Sequence, residues 1–256
     1  MQMQHEQTHE QIIEALQRQV DELTKANLVL KEQLARKEQF TAMIAHELRG
    51  PLAPIINYAQ MIARPNQRPE TVKRGTSIII SQAHRLTRLV KDLLDATHLT
   101  FNQFSLTCAE CDIVTLAKEV VEQLRPLAPY HQIVLETPDS PVVGDWDSGR
   151  LQQALGNLLD NAMKYSDEGS TITVCVSASD DMAHVSVHNQ GAGIPSAEIH
   201  QLFRPYVRLQ GTSGRQGSGL GLYITKSIIE AHEGSLRLEL PSPERQGTTF
   251  SFDLPL

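Results

Sequence analysis

His46 lies in the run Phe40-Thr-Ala-Met-Ile-Ala-His-Glu-Leu-Arg-Gly-Pro-Leu52, where Ile44, Leu48, Leu52 and Ile55 recur at helical spacing. That apolar line puts His46 on the opposite, solvent-facing side of the helix. Near neutral pH an imidazole is mostly uncharged, which is the form that attacks an electrophile. Pro51 removes the backbone donor that would close onto the carbonyl of Glu47, and Gly50 loosens the same turn. Pro54 repeats the insult one turn later, so a kink is expected just below the histidine. Taken alone, a surface histidine is also ordinary solvated surface.

Further along, Asn157, Asn161 and Lys164 fall one turn apart on one helix face. Two carboxamides and an ammonium so placed can address one anionic, metal-bearing ligand, with oxygens for a hard cation and the lysine for phosphate. The same spacing also describes a hydrated polar face. Asn189-x-Gly191-x-Gly193-Ile194 supplies a backbone that can pass close to a flat ligand, or a plain glycine-rich turn. Gly217-x-Gly219-x-Gly221 opens a helix, and unblocked amides at a helix start attract anions with help from the helix dipole.

These residues need positioning elements, and the hydrophobic pattern names them. From about Glu10 to Lys37, Ile13, Val20, Asn27 and Leu34 occupy one heptad core position and Leu16, Leu23 and Leu30 the other. Branched residues at the first and leucine at the second favour a parallel two-stranded coiled coil, with Asn27 fixing register. The alternative is a single amphipathic helix lying on the protein. The heptad runs toward Phe40 without Gly or Pro, so the coil continues into the helix bearing His46. Pro65 and Pro69 mark a turn, and a second helix is expected from about Thr71 to His98. Such a hairpin cannot bury its apolar faces alone, whereas two copies make a four-helix bundle. Past Phe101, strands are expected at 132–136, 171–177, 183–188, 235–240 and 248–254, and helices near 112–127, 148–164 and 220–233. Together they make a two-layer α/β sandwich.

The boxes His46-Glu-Leu-Arg-Gly-Pro51, Asn157-Leu-Leu-Asp-Asn161-Ala-Met-Lys164-Tyr165, Asn189-Gln-Gly191-Ala-Gly193-Ile-Pro195 and Gly217-Ser-Gly219-Leu-Gly221-Leu222 occur in that order. They resemble the homology boxes of two-component sensor histidine kinases, over nearly the whole chain from about Phe40 to Leu256. The resemblance implies an α+β protein in three segments: a signalling coiled coil over 1–37, a dimerisation and histidine phosphotransfer hairpin over 38–102, and a catalytic ATP-binding domain of the histidine kinase/Hsp90-like type over 103–256. It implies that His46 takes the γ-phosphoryl of ATP and that Glu47 is the general base or orienting carboxylate. Arg49, three residues from His46 on its face, is placed to steady phosphate. By the same resemblance Asn157 and Asn161 serve Mg²⁺ and the phosphates, and Lys164 and Tyr165 border the nucleotide. Gly217, Gly219 and Gly221 hold phosphate, and Phe203-Arg-Pro-Tyr206 anchors a lid over about 204–216 that carries Arg208 and Arg215. Gly247-Thr-Thr-Phe250 resembles the last family box and is read as structural.

Two positions depart from the commonest pattern. Asn189 stands where relatives carry aspartate beside Gly191 and Gly193, so adenine's amino group would be met by an uncharged amide oxygen and held less strongly. Gly50 replaces the Thr or Asn that positions water for dephosphorylating the partner, which implies strong kinase and weak phosphatase activity. The implied partners are a second copy of the chain and the receiver domain of a response regulator, whose aspartate takes the phosphoryl group.

Composition limits the alternatives. A net charge of −7 over 256 residues offers no basic surface for nucleic acid or anionic lipid. No apolar run approaches the roughly 18 residues of a membrane span, and the polar start has no signal-peptide core, so the chain is expected to be cytoplasmic. Cys108 and Cys111 have CxxC spacing, but no second Cys or Cys/His pair stands at ligand spacing, so a metal role is not expected. His84, His98, His131 and His188 likewise show no ligand spacing. Two other classes remain: a catalytically degenerate nucleotide-binding scaffold, and a hydrolytic ATPase of the same fold. An acid-labile adduct on His46 separates both from a kinase.

Overall fold

A computed structural model of the chain describes residues 2–65, 67–100, 104–179, 181–191, 193–205, 207, 219–239 and 246–256. Backbone packing divides it into two units, Met1–Ala83 and His84–Leu256.

The first unit is built on helix α1, Gln2–Ile62, and the opening turns of helix α2, Pro69–Thr100. α1 passes through Pro51 and Pro54 without ending, although each proline removes one ladder hydrogen bond. The Pro51 ring is buried, and packing of that kind offsets the lost bond. α1 ends at Ile62 and α2 begins at Pro69, so the break between the helices falls where Pro65 and Pro69 predict it. Gly75 on α2 lies tight against Ile62 of α1, so that a β-carbon there would meet the Ile62 side chain at 2.9 Å. Along the heptad, Leu16, Val20, Leu23, Leu30 and Leu34 are each more than half exposed. Ile13 lies outside the described side chains.

The second unit takes in the distal turns of α2, strand β1 (Ala109–Asp112), helix α3 (Ile113–Leu124), strands β2 (Gln132–Glu136) and β3 (Val143–Trp146), and helix α4 (Ser148–Tyr165). Strands β4 (Thr171–Ser179) and β5 (Met182–Asn189), helix α5 (Gly221–Ala231), and strands β6 (Ser235–Glu239) and β7 (Thr248–Pro255) complete it. The main sheet has the order β2-β4-β5-β7-β6, parallel only between β2 and β4; β1 and β3 form a separate antiparallel pair. Alternation decides which face is buried. Ile172, Val174 and Val176 of β4, Val185 and Val187 of β5, and Phe252 and Leu254 of β7 point to one side. There they meet Leu151, Leu155, Leu158 and Leu159 of α4 and Ile224, Ile228 and Ile229 of α5, all at or near zero exposure. Each such side chain contributes about 1.5–3 kcal/mol by leaving water.

Local signals set the helix boundaries. Asp112 caps α3 by accepting from the amides of Val114 and Thr115, and Asp147 caps α4 by accepting from Arg150. The helix expected over 112–127 stops at Leu124 and tightens into a 3-10 turn at Arg125–Leu127, because Pro126 cannot donate to the ladder. The five strands foreseen from alternation are present, each starting or ending within two residues of the expected bounds. β1 and β3 were not foreseen. Among the described residues, no helix is long and apolar enough to cross a membrane.

Candidate functional site

In the first unit, His46 stands exposed on α1, with Ile44 and Leu48 half-buried on the other side, as the apolar spacing requires. Arg49 is exposed three residues on, and Glu47 is half-buried between them. His46 and Arg49 therefore share an open face, while Glu47 points elsewhere on the helix.

In the second unit, the candidate residues gather where α4, α5 and the end of β5 meet. Asn157 on α4 is half-buried; its Nδ2 donates to the carbonyl of Gly221 at 3.3 Å and to the Thr225 hydroxyl at 3.5 Å. A carbonyl can only accept, so these contacts fix the amide's orientation and leave its oxygen for another partner. Asn161 lies one turn further along α4, also half-buried. α5 begins at Gly221 with Leu220 as its cap and no side-chain hydrogen bond at that cap. Its first amides therefore keep the donor capacity that an anion uses.

Asn189 closes β5 and is only 4% exposed, beneath the loop that carries Gly191 and Gly193. Two glycines here answer to geometry. A β-carbon on Gly191 would overlap the carbonyl oxygen of Tyr165, and Gly193 sits at φ +70, a conformation that L side chains resist. Gly219 has φ 67 just before α5. Tyr165 itself is 37% exposed at the end of α4. Arg208, Arg215, Tyr206 and Gly217 lie outside the described residues. Phe203, at the base of the expected lid, meets Phe250 of β7 edge to face at 6.3 Å, with the Lys226 ammonium 5.7 Å above its ring.

Several contacts were not read from the sequence, though some sit at helical spacing. Lys164 does not stand open: its Nζ donates to Asp160 Oδ2 at 2.5 Å, and Asp160 also faces Arg88 of α2 at 3.9 Å. Asp95, buried on the same helix, accepts from Arg150 Nη1 at 2.7 Å and from Gln153 Nε2 at 2.6 Å. Arg150 in turn stacks 4.7 Å over the Phe104 ring. Asp92 is pushed up to about 6, first by burial and then by the neighbouring Asp95 and Asp160 charges, against the pull of Arg88 and Lys164. Buried His232 ties the helices together: its Nε2 accepts from the Asp147 amide at 2.9 Å, and its Nδ1–H donates to the Ile228 carbonyl at 2.8 Å. Thr225, fully buried one turn after Gly221, was findable from helical spacing alone.

The donor set suits a nucleotide with a hard divalent cation. Among the described residues no cluster of His, Cys, Asp and Glu could hold a metal by itself. Carboxamide oxygens together with ligand phosphate form the kind of partial shell that Mg²⁺ accepts.

Comparison with known proteins independently supports the nucleotide. Residues 36–100 match the family of the His Kinase A (phospho-acceptor) domain, and residues 146–256 match the histidine kinase-, DNA gyrase B- and HSP90-like ATPase family. The solved mycobacterial sensor histidine kinase MprB is 30% identical, and the match covers 97% of that chain and 58% of this one with a TM-score of 0.52. The chain belongs to the sensor histidine kinases. The probable sensor histidine kinase TcrY of Mycobacterium tuberculosis is 33% identical over 96% of this kinase chain. This chain spans 51% of that relative's length. A solved complex of the histidine kinase ThkA with the response regulator protein TrrA matches 88% of this chain and 63% of that one, at 27% identity and a TM-score of 0.63. The second family match makes residues 146–256 of this kinase an ATP-binding domain.

Proposed function

We propose that this kinase core binds Mg²⁺ and ATP between α4 and α5, autophosphorylates on His46, and passes the phosphoryl group to an aspartate of a response regulator. The observation that carries the reading is the pairing of an exposed His46 within the phospho-acceptor match with the Asn157–Gly221–Thr225 cradle within the ATPase match.

The roles follow from chemistry. Asn157 and Asn161 would present amide oxygens to Mg²⁺, because the Asn157 nitrogen is already committed. Bound Mg²⁺ supplies charge neutralisation between the phosphates. The uncapped start of α5 binds phosphate oxygens, with Gly217 and Gly219 extending that cradle. Lys164 borders the nucleotide with Tyr165 and exchanges its Asp160 partner for phosphate. Asn189 accepts from the adenine amino group, beside Gly191 and Gly193. Arg208 in the lid meets phosphate charge. At the acceptor, His46 attacks through an imidazole nitrogen. Arg49 steadies the incoming phosphate, and Glu47 orients or deprotonates the ring. Without a side chain at position 50 to place water, dephosphorylation of the regulator is slow.

The exposed leucines of α1 support a parallel dimer through that helix, since they would otherwise stay in water. The segment assignment 1–37, 38–102 and 103–256 belongs to this reading, as does a cytoplasmic location. The test is incubation with labelled ATP and Mg²⁺, comparing the parent chain with His46→Gln. Label that is lost in acid, and that is absent from the variant, supports the reading; nucleotide turnover with no such label overturns it.

A further inference from the structure

The helix-free face of the main sheet carries a second set of chemical groups. On β4, β5, β6 and β7 the side chains that alternate away from the core include Ser179, His184, Ser235, Arg237 and Asp253. Pairing puts His184 directly opposite Asp253, and Asp253 directly opposite Ser235. Ser179 is the diagonal neighbour of His184, two residues beyond its partner Ser177.

The distances close a relay. His184 Nδ1 lies 2.6 Å from Asp253 Oδ1, and His184 Nε2 lies 2.7 Å from the Ser179 hydroxyl. A carboxylate beside Nδ1 accepts a hydrogen bond from Nδ1–H, so Nε2 is left as the acceptor of the serine O–H. Asp253 is only 6% exposed, and its other oxygen takes the Arg237 guanidinium and the Ser235 hydroxyl at 3.2 Å. The carboxylate is therefore held on both sides and cannot swing away from the ring. Ser179, by contrast, is exposed at the strand end and open to a reagent. A nucleophile bonded to a base, and a base bonded to an orienting acid, is the arrangement that activates serine.

We propose that Ser179 is an activated nucleophile that takes an acyl group from activated carboxylic esters, with His184 as its general base and Asp253 as the positioning residue. In the step, Ser179 Oγ bonds to the ester carbonyl carbon, and the bond from that carbon to the leaving oxygen breaks. The hydroxyl proton passes to His184 Nε2, and the leaving group departs as an alkoxide or phenoxide that recovers the proton from Nε2 or from water. The site stands apart from the nucleotide cradle. It is on the other sheet face and, five residues along β5 from Asn189, about 16 Å toward the strand's far end.

The experiment exposes the chain to p-nitrophenyl acetate and maps the acetyl group by peptide mass spectrometry. Acetylation at Ser179 is expected in the parent chain, about a hundredfold slower in His184→Ala, in keeping with removal of a general base. Asp253→Asn should slow it as well, and Asp253→Glu should restore part of the rate, which a purely structural role would not do. Nucleotide binding of His184→Ala is expected to match the parent, because His184 is remote from the cradle, while melting falls modestly as Asp253 loses one partner. Labelling of Ser179 at the same rate in His184→Ala, or no labelling of Ser179 in the parent, overturns the proposal. Should Asp253→Asn fail to fold, the His184→Ala comparison still decides.

Discussion

Helices α1 and α4 each carry a polar stripe with chemistry on it, yet they are held in place by different means. α4 buries Leu151, Ala154, Leu155, Leu158, Leu159 and Ala162 against its own sheet, so Asn157 and Asn161 stand on a scaffold that one chain completes. α1 runs for 61 residues with its heptad leucines in water. A helix gains most of its stability from a packed face, and under the proposed function a second copy would cover these leucines upstream of His46. Under the proposed function the nucleotide cradle would thus be a property of the fold, and the acceptor histidine a property of the dimer.

The largest test of that contrast is chemical. His46→Gln should abolish acid-labile phosphate while leaving nucleotide affinity unchanged, as titration with a fluorescent ATP analogue would show; a fall in affinity would mean that the two regions are not separable. Next, Asn157→Ala should weaken Mg²⁺-supported nucleotide binding about tenfold or more and change binding in EDTA much less. Equal losses in both conditions would remove the amide oxygen from the metal's surroundings.

Stability separates the helices further. Leu155→Ala leaves a cavity at a fully buried position and should cost the catalytic unit about 2–5 kcal/mol in denaturant unfolding, independent of protein concentration. Leu23→Ala should instead act on a concentration-dependent transition, read by sedimentation. Were Leu23→Ala to destabilise a monomer equally, the coiled-coil reading of α1 would fail.

Smaller effects come from two carboxyls. Asp92 is raised to about 6 by burial and its acidic neighbours, so the folded state holds a proton that the unfolded chain releases near 4. Stability on its account is lost as pH rises from about 4 to about 6. Asp92→Asn should therefore raise the melting temperature at pH 7, by the equivalent of about 3 kcal/mol, and change it little at pH 4. Asp112 is the opposite case. Burial works against its charge, but bonds from the Thr115 hydroxyl and the amides of Val142, Val114 and Thr115 outweigh it and hold the carboxyl below its ordinary value. Its contribution is present above the unfolded value of 3.8 and fades as pH falls through the lower folded one. Asp112→Asn is expected to cost about 0.5 kcal/mol at pH 7, and less in acid, by thermal melting.

What could be read from sequence was whatever depends on local period. The five strands of the main sheet and the three helices of the catalytic unit alternate cleanly enough to be placed within a few residues, and the solvent-facing position of His46 follows from Ile44 and Leu48. β1 and β3 escaped because Ala109-Glu-Cys-Asp112 and Val143-Gly-Asp-Trp146 have no alternating pattern. They are strands only because they pair with each other, and Asp112 also binds the Val142 amide 30 positions away. The engagement of Lys164 by Asp160 sits at helical spacing and could have been foreseen. The clasp of Asp95 on Arg150, 55 positions apart, could not, since nothing local announces it. The glycine boxes announce close approach but not what is approached.

That last point has a consequence for how the cleft can change. At Gly191 the chain runs so near the Tyr165 carbonyl that only a hydrogen fits, and the Asp167 amide donates to the Gln190 carbonyl at 2.9 Å beside it. The end of α4 and the loop that follows β5 are thus welded backbone to backbone. Mutation can retune the polar groups that hang from either piece, but it cannot widen the gap between them without prying both loose, so the span of the gap is inherited rather than adjustable.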